Sequence, residues 1–168
     1  MERKESMRLG ILSDTHDRVE RTRTAVSRLI DAGADVLIHC GDITIPEIVH
    51  ELAARPSYFV FGNCDDDLDA LRRAIADIDG TCLERGGSIE LDGRRFAVTH
   101  GHSAIERARL EAEQPDYLFS GHTHAIEDVR RGPTRYINPG ALHRASSWTV
   151  ALLDSPSGRL ERLRIHDR

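Results

Sequence analysis

RLGILSDTH, residues 8–16, is a short apolar run that closes on Asp14, Thr15 and His16. It is too short for a helix with its own core face and lacks polar alternation, which is how a strand buried on both sides reads. Val19 to Ala32 follows, with Val19, Ala25, Val26, Leu29 and Ile30 at helical spacing and Gly33 as the stop. Asp35 to Cys40 is a second strand, Pro46 to Ala54 a short helix with proline in its first turn, and Tyr58 to Phe61 a third strand. A β-α-β-α-β order of this kind dictates parallel strands joined by right-handed crossovers.

Beyond Asp66 the spacing predicts a helix to about Ala76, with Asp66, Asp67 and Asp69 at its favourable negative end. Ser88–Leu91 and Arg95–Thr99 flank Asp92-Gly93, a hairpin signal. Ala104–Glu113 reads as a helix and Tyr117–Ser120 as a strand, and short strands follow at about 126–130, 134–137, 148–153 and 159–165. The expected architecture is α/β: two mixed β-sheets packed face to face as a sandwich flanked by helices. Its first half is mixed and its second half mainly antiparallel. Residues 1–7 read as a disordered N-terminal tail and residues 8–166 as a single domain.

Five apolar runs end in polar clusters: Asp14-Thr15-His16, Gly41-Asp42, Gly62-Asn63-Cys64-Asp65, His100-Gly101-His102 and Gly121-His122-Thr123-His124. In an open α/β sheet the carboxyl ends of the strands lie along one edge, where ligands bind. A mononuclear site needs three or four protein ligands. Asp14, His16, Asp42, Asn63, His100, His122 and His124 exceed that number and suggest two metals sharing a carboxylate. Imidazole, carboxylate and amide without thiolate suit Mn, Fe, Co, Ni or Zn better than Ca or Mg. His122 and His124 would share a face of a regular strand, unless the backbone turns after Gly121.

The ordered set Asp-x-His, Gly-Asp, Gly-Asn-x-Asp, His-Gly-His and Gly-His-x-His resembles the calcineurin-like metallophosphoesterase superfamily. Gly62-Asn63-Cys64-Asp65, with Asn138-Pro139-Gly140 downstream, is similar to its small YfcE-like phosphodiesterases. The resemblance implies a four-layer α/β/β/α fold and two divalent transition-metal ions, manganese foremost. It implies that Asp14, His16, Asp42 and His124 hold the first ion, and that Asp42 bridges to a second held by Asn63, His100 and His122. Hydrolysis of a small phosphate ester would then proceed by in-line attack of a hydroxide bridging the metals. Relatives commonly carry a proton-donating His where Cys64 stands, so Cys64 and His102 are the expected proton donors. Ala141 also departs, because relatives often place Ser after Asn-Pro-Gly.

Other residues read as structural. Asp65 is expected to cap backbone or orient a neighbour, His39 and His50 to be structural, and Trp148 to serve the core or an interface. His143 and Arg144 are candidates to reach substrate. The net charge of -5 gives no footprint for non-specific nucleic-acid binding. No apolar stretch approaches the ~20 residues of a membrane span. Three cysteines without C-x-x-C spacing, and an N-terminus without a signal-like apolar core, point to the cytoplasm. A homo-oligomer is compatible with the sequence. Two other functions compete with the hydrolase of small esters: a retromer-subunit-like interaction scaffold on the same fold, and a phosphatase for a particular nucleotide or phosphoprotein. Aromatic content of 5% offers no clear base sandwich for the nucleotide.

Overall fold

The computed structural model describes residues 6–167. In chain order the elements are β1 (Arg8–Leu12), α1 (Val19–Asp31), β2 (Val36–His39), α2 (Pro46–His50), β3 (Ser57–Phe59), α3 (Leu68–Asp77), β4 (Thr81–Cys82), β5 (Gly86–Leu91), β6 (Arg94–Thr99), α4 (Ala104–Ala112), β7 (Tyr117–Phe119), β8 (Glu127–Arg131), β9 (Thr134–Asn138), β10 (Trp148–Asp154) and β11 (Leu160–Ile165). The first sheet has the order β11-β10-β1-β2-β3-β4 and the second β5-β6-β7-β9-β8. Strands β1 to β4 run parallel, and β10 and β11 add antiparallel beyond β1.

Alternation along the strands builds the layers. Leu9 and Ile11 of β1, Phe96 and Val98 of β6, Phe119 of β7 and Leu153 of β10 fill the space between the sheets. The intervening residues face the helices. Leu12, Leu37, Val150 and Leu152 meet Ala25 and Leu29 of α1 and Leu71 of α3, while Ala97 and Leu118 meet Leu110 of α4. Both faces of each central strand are therefore apolar, which explains the continuous runs in the sequence. Phe59, Phe61, Phe96 and Phe119 are all fully buried, and truncating any of them to Ala would cost about 3–5 kcal/mol.

Several details differ from the sequence reading. The second half is antiparallel at its margins, but β6, β7 and β9 at its centre run parallel. Its last two strands return to the first sheet, because β10 pairs with β1. Strand β4 has two residues, too few to show a period. Strand β5 begins at Gly86, where two glycines conceal strand character. Helix α2 ends at His50 and continues only as turns. Of the expected tail, residues 1–5 lie outside the described residues. Met7 packs against the inter-sheet core and its carbonyl accepts from Ser155 N at 2.9 Å. The hairpin is as read, with Asp92 and Gly93 both at positive φ.

Candidate functional site

Parallel strands within each sheet carry their carboxyl ends to a common edge, and the two edges meet. Asp14 follows β1, Asp42 follows β2, and Asn63, Cys64 and Asp65 follow β3; His100 and His102 follow β6, and His122 and His124 follow β7. Backbone ties fix the junction. Gly121 N donates to His100 O at 3.0 Å, and His122 N donates to Asp14 Oδ2 at 3.0 Å. The approach is too close for side chains at the motif glycines. A Cβ at Gly62 would stand 2.1 Å from Asp42 Oδ1, and one at Gly121 would stand 1.9 Å from Ser13 Oγ.

Each buried carboxylate uses one oxygen within the protein and leaves the other. Asp14 Oδ2 accepts from Ser13 Oγ at 2.6 Å and from His122 N, whereas Oδ1 has no hydrogen bond. Asp42 Oδ1 accepts from Cys64 N at 2.9 Å, and Oδ2 faces His100 Nε2 at 3.3 Å and His16 Nε2 at 3.6 Å.

The histidines supply the complementary half. His100 Nδ1 donates to Cys40 O at 2.8 Å and His124 Nδ1 donates to Arg144 O at 3.1 Å, since a carbonyl can only accept. In the neutral ring that leaves the lone pair on Nε2. Yet His124 Nε2 lies 3.1 Å from Asp14 Oδ1, and His100 Nε2 lies 3.3 Å from Asp42 Oδ2. Acceptor faces acceptor, with no aligned hydrogen bond, in a buried site. A proton or a cation must sit between them. Imidazoles oriented by a carbonyl, with the free nitrogen turned to carboxylates, are the donor set of a metal site. Asp14, His16 and His124 form one such group, and Asp14, Asp42 and His100 a second, each with its donor atoms within 4.8 Å of one another.

The other expected ligands stand at the rim. His122 is exposed, its ring 5.1 Å from that of His100 and 6.0 Å from that of His102. Asn63 is exposed and its amide donates to Cys64 Sγ at 3.6 Å. The Cys64 thiol itself closes a third group with His16 and Asp42. The pair His122 and His124 does not share a strand face. Strand β7 ends at Phe119, both residues take positive φ, and the turn sends one ring toward His100 and the other toward Asp14.

Electrostatics follow this geometry. Burial opposes the ionised form of Asp42, but His100 beside it, the Cys64 N–H and His16 outweigh that and hold its carboxyl well below the usual range. Burial likewise opposes charge on His100, and Asp42 and Asp14 overcome it and raise that ring. Burial, with His100, Arg85 and His122, pushes His102 down. Burial and then Asp42 push the Cys64 thiol up.

Backbone strain collects here too. Asp14, His16, Asp42, His122 and His124 all take φ between 46° and 68°, a left-handed conformation that costs about 1–2 kcal/mol for a non-glycine residue. Asp65 is the cap that the sequence suggested. Its carboxylate accepts from Asp42 N at 3.0 Å, Thr44 N at 2.7 Å and Gly62 N at 2.7 Å. Sequence reasoning missed Asn138 as a support, although its motif was visible. Its amide donates to Gly121 O and Thr123 Oγ1, which pins the loop of His122 and His124.

A sheet-edge cluster of carboxylates and carbonyl-oriented imidazoles on an α/β/β/α sandwich defines a metal-binding hydrolase class. Residues 7–158 match the calcineurin-like phosphoesterase superfamily domain, and the chain belongs to that superfamily. A phosphodiesterase of Methanocaldococcus jannaschii is 31% identical over 156 residues, covering 89% of this chain and 93% of that protein. The solved structure of an archaeal phosphodiesterase matches with a TM-score of 0.86 at 26% identity, over 94% of this chain and 99% of that one. The E. coli phosphoesterase YfcE shares the fold, with a TM-score of 0.69 at 21% identity over 95% of this chain and 100% of that one. The protein is thus a phosphoester hydrolase, and its family implies divalent metal ions. Among the described residues no helix is long and apolar enough to cross a membrane.

Proposed function

We propose that the protein is a phosphodiesterase for small phosphate esters that works with two divalent transition-metal ions. Manganese is the first choice, and Ni, Fe, Co and Zn also suit the donors. The observation that carries this reading is that His124 Nε2 is turned toward Asp14 Oδ1 and His100 Nε2 toward Asp42 Oδ2, with Asp14 Oδ1 and His100 Nε2 buried and without a hydrogen bond among the described residues. Asp14, His16, Asp42 and His124 would hold the first ion. Asn63, His100 and His122 would hold the second with Asp42, whose Oδ2 is 3.6 Å from His16 Nε2 and 3.3 Å from His100 Nε2. When bound, such ions supply a water nucleophile at neutral pH and Lewis acidity toward the phosphoryl oxygens.

The chain's own residues do the rest. Cys40 O and Arg144 O orient His100 and His124, and Asp65 holds the turn that presents Asp42. The raised thiol of Cys64 keeps its proton at neutral pH and can pass it to the leaving oxygen. His102, pushed toward its neutral form, is the weaker donor and better suited to accept or position. The phosphodiesterase relative supports diesters over monoesters.

A scaffold would gain nothing from five strained donor residues and orphaned buried atoms, and both lower stability. The test is a panel of nitrophenyl diester and monoester with metal-stripped protein reloaded with Mn, Ni, Zn or Mg. Diester hydrolysis that depends on added metal is expected. Absence of hydrolysis with every metal would contradict the enzyme reading.

A further inference from the structure

Beside His16 lies an open groove of about 460 Å³, lined further by Asp17, Arg18, Thr44, Ile45, His143 and Arg144. Its charged side chains are two arginines and one aspartate. Arg18 Nε donates to His143 Nδ1 at 3.3 Å, which leaves both terminal amino groups of Arg18 without a hydrogen bond among the described residues. The same bond puts the neutral His143 proton on Nε2, ready to donate outward. The Arg144 guanidinium has no hydrogen bond or ion pair among the described residues, although its carbonyl orients His124. Thr44 Oγ1 is buried and unpartnered. Among the described residues Asp17 is the only carboxylate lining the groove; it is exposed and 3.6 Å from Arg18 Nε.

The backbone is strained here as it is at the ligands. Thr44 sits at φ 68° and Arg144 at φ 47°, and for a β-branched residue that is a marked outlier. The Asp65 carboxylate holds Thr44 there through its N–H. Strain held in place in this way collects at binding sites. The groove is also joined to the candidate metal centre. The His143 and His16 rings are 4.5 Å apart, and Arg144 touches His124 through its carbonyl.

We infer that this groove binds a second phosphate on the non-reacting part of the substrate while the scissile ester lies at the carboxylate–imidazole cluster. The natural substrate is then a small phosphodiester that carries a further phosphate group. This rests on the phosphodiesterase reading above. Two guanidinium groups and an imidazole N–H line one groove as donors, which is what a phosphate's oxygens require. Among the described residues no Phe, Tyr or Trp lines the groove, so it selects charge rather than a base.

The test compares thymidine 5′-(p-nitrophenyl phosphate) with the same compound carrying a 3′-phosphate, using manganese-loaded protein. The 3′-phosphorylated substrate should have a kcat/KM at least about tenfold higher, mainly through KM, as one or more charge-assisted hydrogen bonds would give. Arg18→Gln combined with Arg144→Gln should bring the ratio of the two substrates close to one. Raised salt should shrink that ratio in the wild type, because exposed cations are screened. Equal efficiencies in the wild type, or a ratio that survives the double substitution, would overturn the groove while leaving the hydrolase intact. If neither compound is hydrolysed, the hydrolase reading falls and the groove's role falls with it.

Discussion

Where the two sheets meet, the first contributes the buried acids Asp14 and Asp42, and the second contributes His100, His102, His122 and His124. Only His16 crosses that division. Each side would be costly alone. Two carboxylates at 0% and 3% exposure repel one another, and burying a charge without a partner is among the larger penalties in folding. The imidazoles lie close enough to compensate them but are turned the wrong way to do so as neutral rings. His39 and His100 are both fully buried, but His39 is satisfied at both nitrogens. Gly41 N donates to its Nδ1 at 3.1 Å, and its Nε2 pairs with Thr15 Oγ1 at 2.9 Å. One buried histidine is closed and structural. The other keeps a nitrogen aimed at acids. That difference separates packing from a site.

The largest effect is expected on the acidic side. Asp42→Asn removes the carboxylate that faces both His16 and His100, and kcat/KM for a diester should fall about 10³-fold or more. Metal content measured on the same sample should drop for both ions together. Retained metal with lost activity would mean that Asp42 is not shared.

The next effect concerns stability. Burial first, and then the charge of His100, hold His39 down to about 3, against an ordinary value of 6.5. Its folded pKa lies below the unfolded one, so the unfolded chain binds the proton more readily. Its contribution is therefore full above pH 6.5 and is lost as pH falls toward 3, by about 1.4 kcal/mol per pH unit. In urea melts of metal-stripped protein, His39→Gln should flatten that slope relative to wild type. An unchanged slope would show that His39 is not the buried neutral ring.

A smaller change should run in the opposite direction. Without metal, Asp14→Asn relieves the acceptor–acceptor contact with His124 Nε2 and should raise stability by about 1 kcal/mol, or a few degrees in Tm. A lower Tm would mean that the acids are already compensated. The smallest change expected is Cys64→His. It should raise turnover of poorly activated diesters several-fold by supplying a better-matched proton donor; rates that fall or stay level would remove position 64 from proton transfer.

Much of this was legible in the chain because buried parallel strands write themselves as apolar runs and because a strand end can bring a polar residue to an edge. Leu9–Leu12, Val36–His39 and Phe96–Thr99 carry that signal directly. What escaped was decided by tertiary contact. The tautomers of His100 and His124 depend on Cys40 O and Arg144 O, far away in sequence. The return of β10 to β1 depends on which sheet can bury Val150 and Leu152 against α1. The two-residue β4 is too short to carry any period. The groove of Arg18, Thr44 and Arg144 has no motif, because its residues come from three separate loops.

Carboxylates from one sheet and imidazoles from the other are arranged for metal. Calorimetric titration of metal-stripped protein with Mn(II), with diester hydrolysis followed at each addition, tests it most directly. Two ions should bind per chain, and activity should rise with occupancy and vanish on chelation. No binding, or diester hydrolysis that persists without metal, would contradict the account.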